Sequence, residues 1–201
     1  MDYSFEFAAM NKGFKTVCGV DEAGRGPLAG PVYAAAVILP IGAEIDGLND
    51  SKKLYEKKRE ELFEIINDVA ISVSVGTASE KEIDEINILN ATFLAMKRAV
   101  LGLEIPADYA IIDGNRAPNL EIPAETVVKG DGKVMSVAAA SIIAKVSRDR
   151  FMLKMAEQYP EYQFEKHKGY GTKLHYEMIE KYGVSPIHRK SFLKKILGER
   201  V

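Results

Sequence analysis

Short apolar runs that end in a carboxylate recur three times along this chain, and they restrict what it can become. Thr16-Val17-Cys18-Gly19-Val20 closes on Asp21-Glu22, Tyr109-Ala110-Ile111-Ile112 leads into Asp113-Gly114-Asn115, and Thr126-Val127-Val128 leads into Lys129-Gly130-Asp131. β-Branched runs of this length, bounded by Gly and Asp, predict buried strands. A carboxylate at the C-terminal end of such a strand stands where open α/β sheets gather their ligands.

The segments between these runs supply the rest of an α/β pattern. Val32 to Leu39 is a further apolar strand, closed by Pro40 and joined to the first by the glycine-rich stretch 23–30. Tyr55 to Ala70 carries Leu62, Phe63, Ile65, Ile66 and Val69 at helical spacing among charges, and predicts an amphipathic helix. Ile71-Ser72-Val73-Ser74-Val75 alternates with period two and predicts the strand that follows it. Ser79 with Glu82 has the spacing of a capping box, and Ile88 to Leu101 repeats apolar residues at helical spacing, so a helical pair is expected there. Val134 to Gln158 predicts a long helix, and Thr172 to Tyr182 and His188 to Leu197 shorter ones. Helices interleaved with strands, without repeats or linkers, give a single α/β domain over 1–201, with a sheet-rich core at about 16–130 and a helical, basic part at about 131–201.

Composition excludes several classes. With 47% hydrophobic and 28% charged residues, the 201-residue chain can bury one sizeable core and lacks the bias of a disordered protein. A net charge of -2 argues against a polybasic binder, but residues 129–195 carry 14 basic and 7 acidic side chains while the remainder carries 13 and 22, so one end can face a polyanion. The lone Cys18 cannot form an internal disulfide, which makes a reducing cytoplasm the expected setting. Acids near the N-terminus disfavour a signal peptide. The longest uncharged stretch, Pro27 to Ala43, is broken by Gly and Pro and falls short of the ~20 apolar residues of a membrane helix. No membrane association is expected.

Asp21, Glu22, Asp113 and Asp131 are the candidate catalytic and metal-binding residues. Consecutive strand side chains point to opposite faces, so Asp21 and Glu22 share a site only if the chain turns there. Clustered carboxylates raise one another's pKa unless a cation compensates them. Oxygen ligands without Cys or clustered His select Mg²⁺ or Mn²⁺ over zinc, and Mg²⁺ completes its shell with water and phosphate oxygens. Two such ions ~3.5–4 Å apart can serve the attacking water and the leaving oxygen of an in-line displacement. Singly, Asp113 and Asp131 read more readily as the Asp of an Asp-Gly turn than as ligands.

The segment from Gly19 to Val32, GVDEAGRGPLAGPV, resembles the signature of bacterial ribonuclease HII. Further matches follow in the family's order: Asp50-Ser51-Lys52-Lys53-Leu54, Asn87 to Thr92, Ile112 to Asn115, Val128 to Asp131, Ala139 to Val146 with Arg148-Asp149-Arg150, His167 to Thr172, and His188-Arg189 with Ser191-Phe192. The resemblance implies a ribonuclease H-like fold, a mixed central β-sheet flanked by helices with a helical C-terminal part. It implies an endonuclease that cuts the RNA strand of RNA/DNA hybrids and incises 5′ to single ribonucleotides in duplex DNA, leaving 5′-phosphate and 3′-hydroxyl ends. By motif match, Asp21, Glu22, Asp113 and Asp131 are its four metal-binding acids, with Mg²⁺ or Mn²⁺ as cofactor. A monomer is expected; replication or repair partners are not identifiable from the sequence.

Sequence-blind recognition of one ribonucleotide must read its 2′-hydroxyl, which is both donor and acceptor. Gly24-Arg25-Gly26 suits that task, since glycines let backbone groups approach a sugar and Arg25 can add a phosphate contact. Tyr170 matches the family tyrosine that packs on the deoxyribose after the ribonucleotide. Lys52, Lys145, Arg148, Lys168 and Arg189, together with Lys53, Arg150, Lys166 and Lys190, are candidate phosphate contacts. Ser141 can bond a phosphate or pack in its Ala-rich helix, and His167, His175 and His188 are expected to pack rather than bind metal. The sister family, ribonuclease HIII, normally carries an N-terminal substrate-binding domain; about fifteen residues before the first strand, Gly24-Arg25-Gly26 and Tyr170 favour HII. A silent hybrid-binding module is disfavoured because concentrated acids repel phosphate.

Overall fold

In the computed structural model, which describes residues 1–194 and Gly198, strand β1 (Val17–Ala23) lies at the centre of one mixed sheet. β2 (Val32–Ile38), β3 (Ser72–Ala78), β4 (Tyr109–Asp113) and β5 (Ala124–Val127) complete it in the order β3-β2-β1-β4-β5. β1 runs antiparallel to β2, as β2 does to β3, and parallel to β4, which is parallel to β5. The carboxyl ends of β1, β4 and β5 therefore point the same way, as three carboxylate-bearing strand ends require.

Period-two alternation sorts the core into two layers. On one face, Cys18, Val20, Ala34, Ala36 and Ile112 pack against Ala91, Ala95 and Ala99 of helix α3 (Glu80–Leu101). On the other, Ala35 and Val37 meet Ala138, Ala139 and Ile142 of α4 (Met135–Gln158), with Leu62 and Ile66 of α2 (Glu56–Val69) alongside. The alanines let the helices approach closely. At Gly19 a Cβ would collide with the backbone of Ser136 and Val137, so α4 lies directly on β1.

The expected capping box forms, with the Ser79 side chain accepting from the Glu82 N–H and the Glu82 carboxylate accepting from the Ser79 N–H. The helical pair is present as one helix broken at Asn87, whose φ of 67° and ψ of 164° are non-helical. Its Oδ1 accepts from the N–H groups of Leu89 (3.0 Å) and Asn90 (3.1 Å), which caps the second half. α1 (Ser4–Asn11) has no signal in the sequence reading. Phe5 and Ala9 nevertheless pack on Tyr109, Ile111 and Val137, and buried Glu6 accepts from Ser136 N–H (3.0 Å) and Oγ–H (2.8 Å) at the start of α4.

Beyond α4 the chain forms α5 (Phe164–His167), α6 (Lys173–Tyr182) and α7 (Lys190–Leu193). A satellite core of Leu28, Met152, Tyr162, Phe164, Ile179 and Leu193 ties this part to the glycine-rich loop after β1. The helix expected over His188–Leu197 is seen as α7; its positions 195–197 lie outside the described residues. No helix among the described residues is long and apolar enough to cross a membrane.

Candidate active site

Parallel pairing builds the acidic cluster. Val20 of β1 pairs with Ile112 of β4, so Asp21 and Asp113 follow one step later on neighbouring strands. After β5, a 3₁₀ turn at Gly130–Gly132, entered through Lys129 at φ 58°, brings Asp131 back toward them. One carboxylate oxygen from each of Asp21, Asp113 and Asp131 lies within 4.8 Å of the others. Asp21 and Asp131 are buried, and Asp113 is half-buried.

Burial and mutual repulsion strain this arrangement. Burial, then the charges of Glu22 and Asp113, push the Asp21 carboxyl well above the ordinary range, opposed by hydrogen bonds from Ser141 and the Glu22 N–H. Asp113 is raised by burial and by Asp131, although the Gly130 N–H donates to its Oδ1 at 2.6 Å. Lys52 stands with Nζ 3.4 Å from Asp131 Oδ2; burial works against its charge, but Asp131 and Asp21 outweigh this and raise its pKa. One lysine does not neutralise three carboxylates. Hard oxygen donors this close, two of them buried, fit a divalent cation.

Glu22 approaches from the opposite face. β1 does not turn at Asp21–Glu22 but continues to Ala23, so alternation directs Glu22 toward α3. There it lines a cavity of about 280 Å³ with Arg25, Leu89, Phe93 and Asp113. A second cavity, about 670 Å³, is lined by Lys52, Lys53, Asp113, Lys129 and Asp131. Asp113 lines both, so Glu22 reaches the acidic site through it, outside the tight triad. Burial raises the Glu22 pKa against Arg25, whose Nη1 lies 3.3 Å from Oε1.

The loop after β1 stands beside this cluster. Gly24, at φ +94°, is buried, whereas Arg25 and Gly26 are exposed. Tyr170, 42% exposed, places Cε1 3.9 Å from where a Cβ on Gly26 would stand, so the two segments expected to read the sugar are neighbours. Lys145 Nζ lies 5.9 Å from the Tyr170 ring centre and 2.7 Å from Asp149 Oδ1.

Arg148 and Arg189 are not where an outward phosphate contact requires them. Both are fully buried, and their donors go to backbone carbonyls. Arg150 pairs with Glu60 and Glu64, while Lys168 Nζ donates to the Glu165 carbonyl and Lys166 Nζ to Gln163. Ser141 lies in the interior, 2.9 Å from Ser51 Oγ. The histidines pack together, His167 stacked on His175 and His175 Nε2 3.0 Å from His188 Nε2, with no acid among them. The motifs place Arg148 and Arg189 in the right neighbourhood but not on their partners, most of which lie over a hundred residues away in sequence.

A mixed sheet presenting clustered acids at adjoining strand ends is the arrangement of a metal-dependent phosphodiester hydrolase. The family model described as Ribonuclease HII matches residues 18–195. The chain is 55% identical over 196 residues to the Ribonuclease HII of Caldicellulosiruptor bescii, covering 98% of this chain and 95% of that protein. It is 54% identical to that of Clostridioides difficile (strain 630), covering 96% of this chain and 76% of that one. Among solved structures, the ribonuclease H2 from Pyrococcus horikoshii OT3 superposes with a TM-score of 0.74 at 31% identity, over 92% of this chain and 97% of that chain. The chain belongs to the ribonuclease HII family and is a ribonuclease H-type endonuclease.

Proposed function

We propose that the enzyme hydrolyses the RNA strand of RNA/DNA hybrids and incises 5′ to single ribonucleotides in duplex DNA, leaving 5′-phosphate and 3′-hydroxyl ends. The observation that carries this reading is the proximity of the Gly24–Gly26 loop to Tyr170, beside the triad Asp21, Asp113 and Asp131. Asp21, Asp113 and Asp131, with Glu22 at the margin, would hold Mg²⁺ or Mn²⁺, which would supply Lewis-acid activation of water and charge stabilisation at the leaving oxygen. Lys52 offsets charge on Asp131, and the Gly130 N–H fixes the Asp113 carboxylate. Exposed Gly26 offers backbone groups to the 2′-hydroxyl, and Arg25 reaches toward the adjoining phosphate. The Tyr170 ring packs on the next sugar, with Lys145 above it.

Cleavage of a labelled duplex containing one ribonucleotide, against an all-DNA control, with Mg²⁺, Mn²⁺ or EDTA, tests the reading. Metal-dependent incision 5′ to the ribonucleotide with the control intact is expected. Cleavage of a long hybrid alone would replace it with an HIII-like specificity, and binding without cleavage of either would refute it.

A further inference from the structure

Arg148 and Arg189 are buried cations without a salt-bridge partner among the described residues. Burying a charge is costly, and a hydrophobic filling of similar volume is often as stable or more so. What the two side chains hold explains their presence. Arg189 donates from Nε to the Gly30 carbonyl (2.8 Å), from Nη1 to those of Arg25 (3.0 Å) and Pro27 (2.8 Å), and from Nη2 to that of Gly24 (2.6 Å). Arg148 donates to the carbonyls of Pro31 (3.3 Å), Lys168 (3.0 Å) and Ala29 (3.1 Å). The Arg189 N–H takes the Leu28 carbonyl at 2.8 Å.

From Gly24 to Pro31, these two residues claim every carbonyl but that of Gly26. Gly26 is exposed, and neither its N–H nor its C=O has a hydrogen-bond partner among the described residues. An uncommitted donor and acceptor at one peptide position match a hydroxyl that is itself donor and acceptor. Arg148 also places its guanidinium 5.7 Å from the Tyr170 ring centre while holding Lys168, so it fixes the spacing between loop and tyrosine. A Cβ on Gly24 would strike the Arg148 Nε, which leaves no slack between loop and guanidinium.

We propose that Arg148 and Arg189 are positioning residues: without touching substrate, they hold the Gly24–Gly26 backbone in the shape that admits a ribose at the scissile position. This rests on the assignment of that loop to the 2′-hydroxyl under Proposed function. Lysine keeps the charge but not the planar fork, and from one atom it cannot span carbonyls running from Gly24 to Gly30.

The test is Arg189→Lys and Arg148→Lys in the full-length, Mg²⁺-loaded enzyme, assayed well below each variant's melting temperature on the single-ribonucleotide duplex. Displaced positioning lowers kcat by about tenfold or more, with KM changed by less than about threefold, since phosphate contacts are untouched. Wild-type kcat in both variants, or a loss carried by KM alone, overturns the proposal. If the wild-type enzyme leaves this duplex whole, the loop assignment itself has failed. Should neither variant fold, amide exchange on the wild-type protein decides. The Leu28 and Gly30 amides, which donate to Gly169 and Ile187, must then be protected like those of β1; exchange at the rate of an open loop overturns the proposal.

Discussion

Asp113 is the acid that both cavities share, and its neutral isostere separates its charge from its shape. Asp113→Asn keeps an oxygen for the Gly130 N–H but removes one of the mutually repelling charges. Cleavage should fall by about a hundredfold or more while hybrid binding persists. In EDTA the variant should melt no lower than wild type; equal turnover would remove Asp113 from the mechanism. Tyr170→Ala should depress single-ribonucleotide incision while changing stability by less than about 1 kcal/mol, because the ring is already 42% exposed. Unchanged incision would refute its role. The acids were legible because a strand end fixes where a carboxylate lies. The position of Glu22 was not, since it depended on whether β1 turned or ran on. Nor was the burial of Arg148 and Arg189, because no local pattern marks a cation whose partners are distant carbonyls.

The break in α3 shows the same limit for an element. Hydrophobic spacing predicts the pair of helices, but nothing local demands the φ of 67° at Asn87. The side chain repays part of that strain by capping Leu89 and Asn90. Asn87→Ala loses the caps and keeps the strained backbone, so urea unfolding should show a cost of about 2 kcal/mol. Asn87→Gly loses the caps but relieves the backbone, and should stay within about 1 kcal/mol of wild type. Equal costs for the two would mean that the backbone there is unstrained. In α2 and α4, long helical segments without a side-chain cap, and at the Ser79 capping box, sequence and structure coincide to within a residue or two. α1 escaped because its hold on the sheet is tertiary, through Phe5, Ala9 and Glu6.

For the whole molecule, two sets of buried titratable groups pull stability in opposite directions with pH. Asp21, Glu22 and Asp113 have folded-state values raised by burial first, then by neighbouring acids. Their contribution is full below the unfolded carboxylate values and is lost as pH rises through the folded ones. The metal-free enzyme bears that loss at neutral pH, so Mg²⁺ or Mn²⁺ should raise its melting temperature at pH 7.5 and much less at pH 5. A shift independent of pH would detach the cation from these acids. The histidines act oppositely. His175 donates from Nδ1 to the Tyr170 carbonyl, and His188 Nδ1 accepts from the Ser185 N–H. The 3.0 Å contact between their Nε2 atoms is then satisfied only with both rings neutral, His188 donating to His175. Burial first, and then the neighbouring histidines, depress both to about 4 from an ordinary 6.5. The unfolded chain therefore takes up protons that the folded one refuses between pH 6.5 and 4, and stability falls as pH falls through that window. The loss should be on the order of a few kcal/mol by pH 4.5. In EDTA the acids oppose it, so a melting temperature that drops on acidification from pH 6.5 to 4.5 reports the histidines. Replacing His188 with Gln should flatten that slope. Because His175 holds Tyr170 and His188 adjoins Arg189, acid should loosen the sugar-reading elements before it unfolds the sheet, and a uniform loss of amide protection across both would overturn that order.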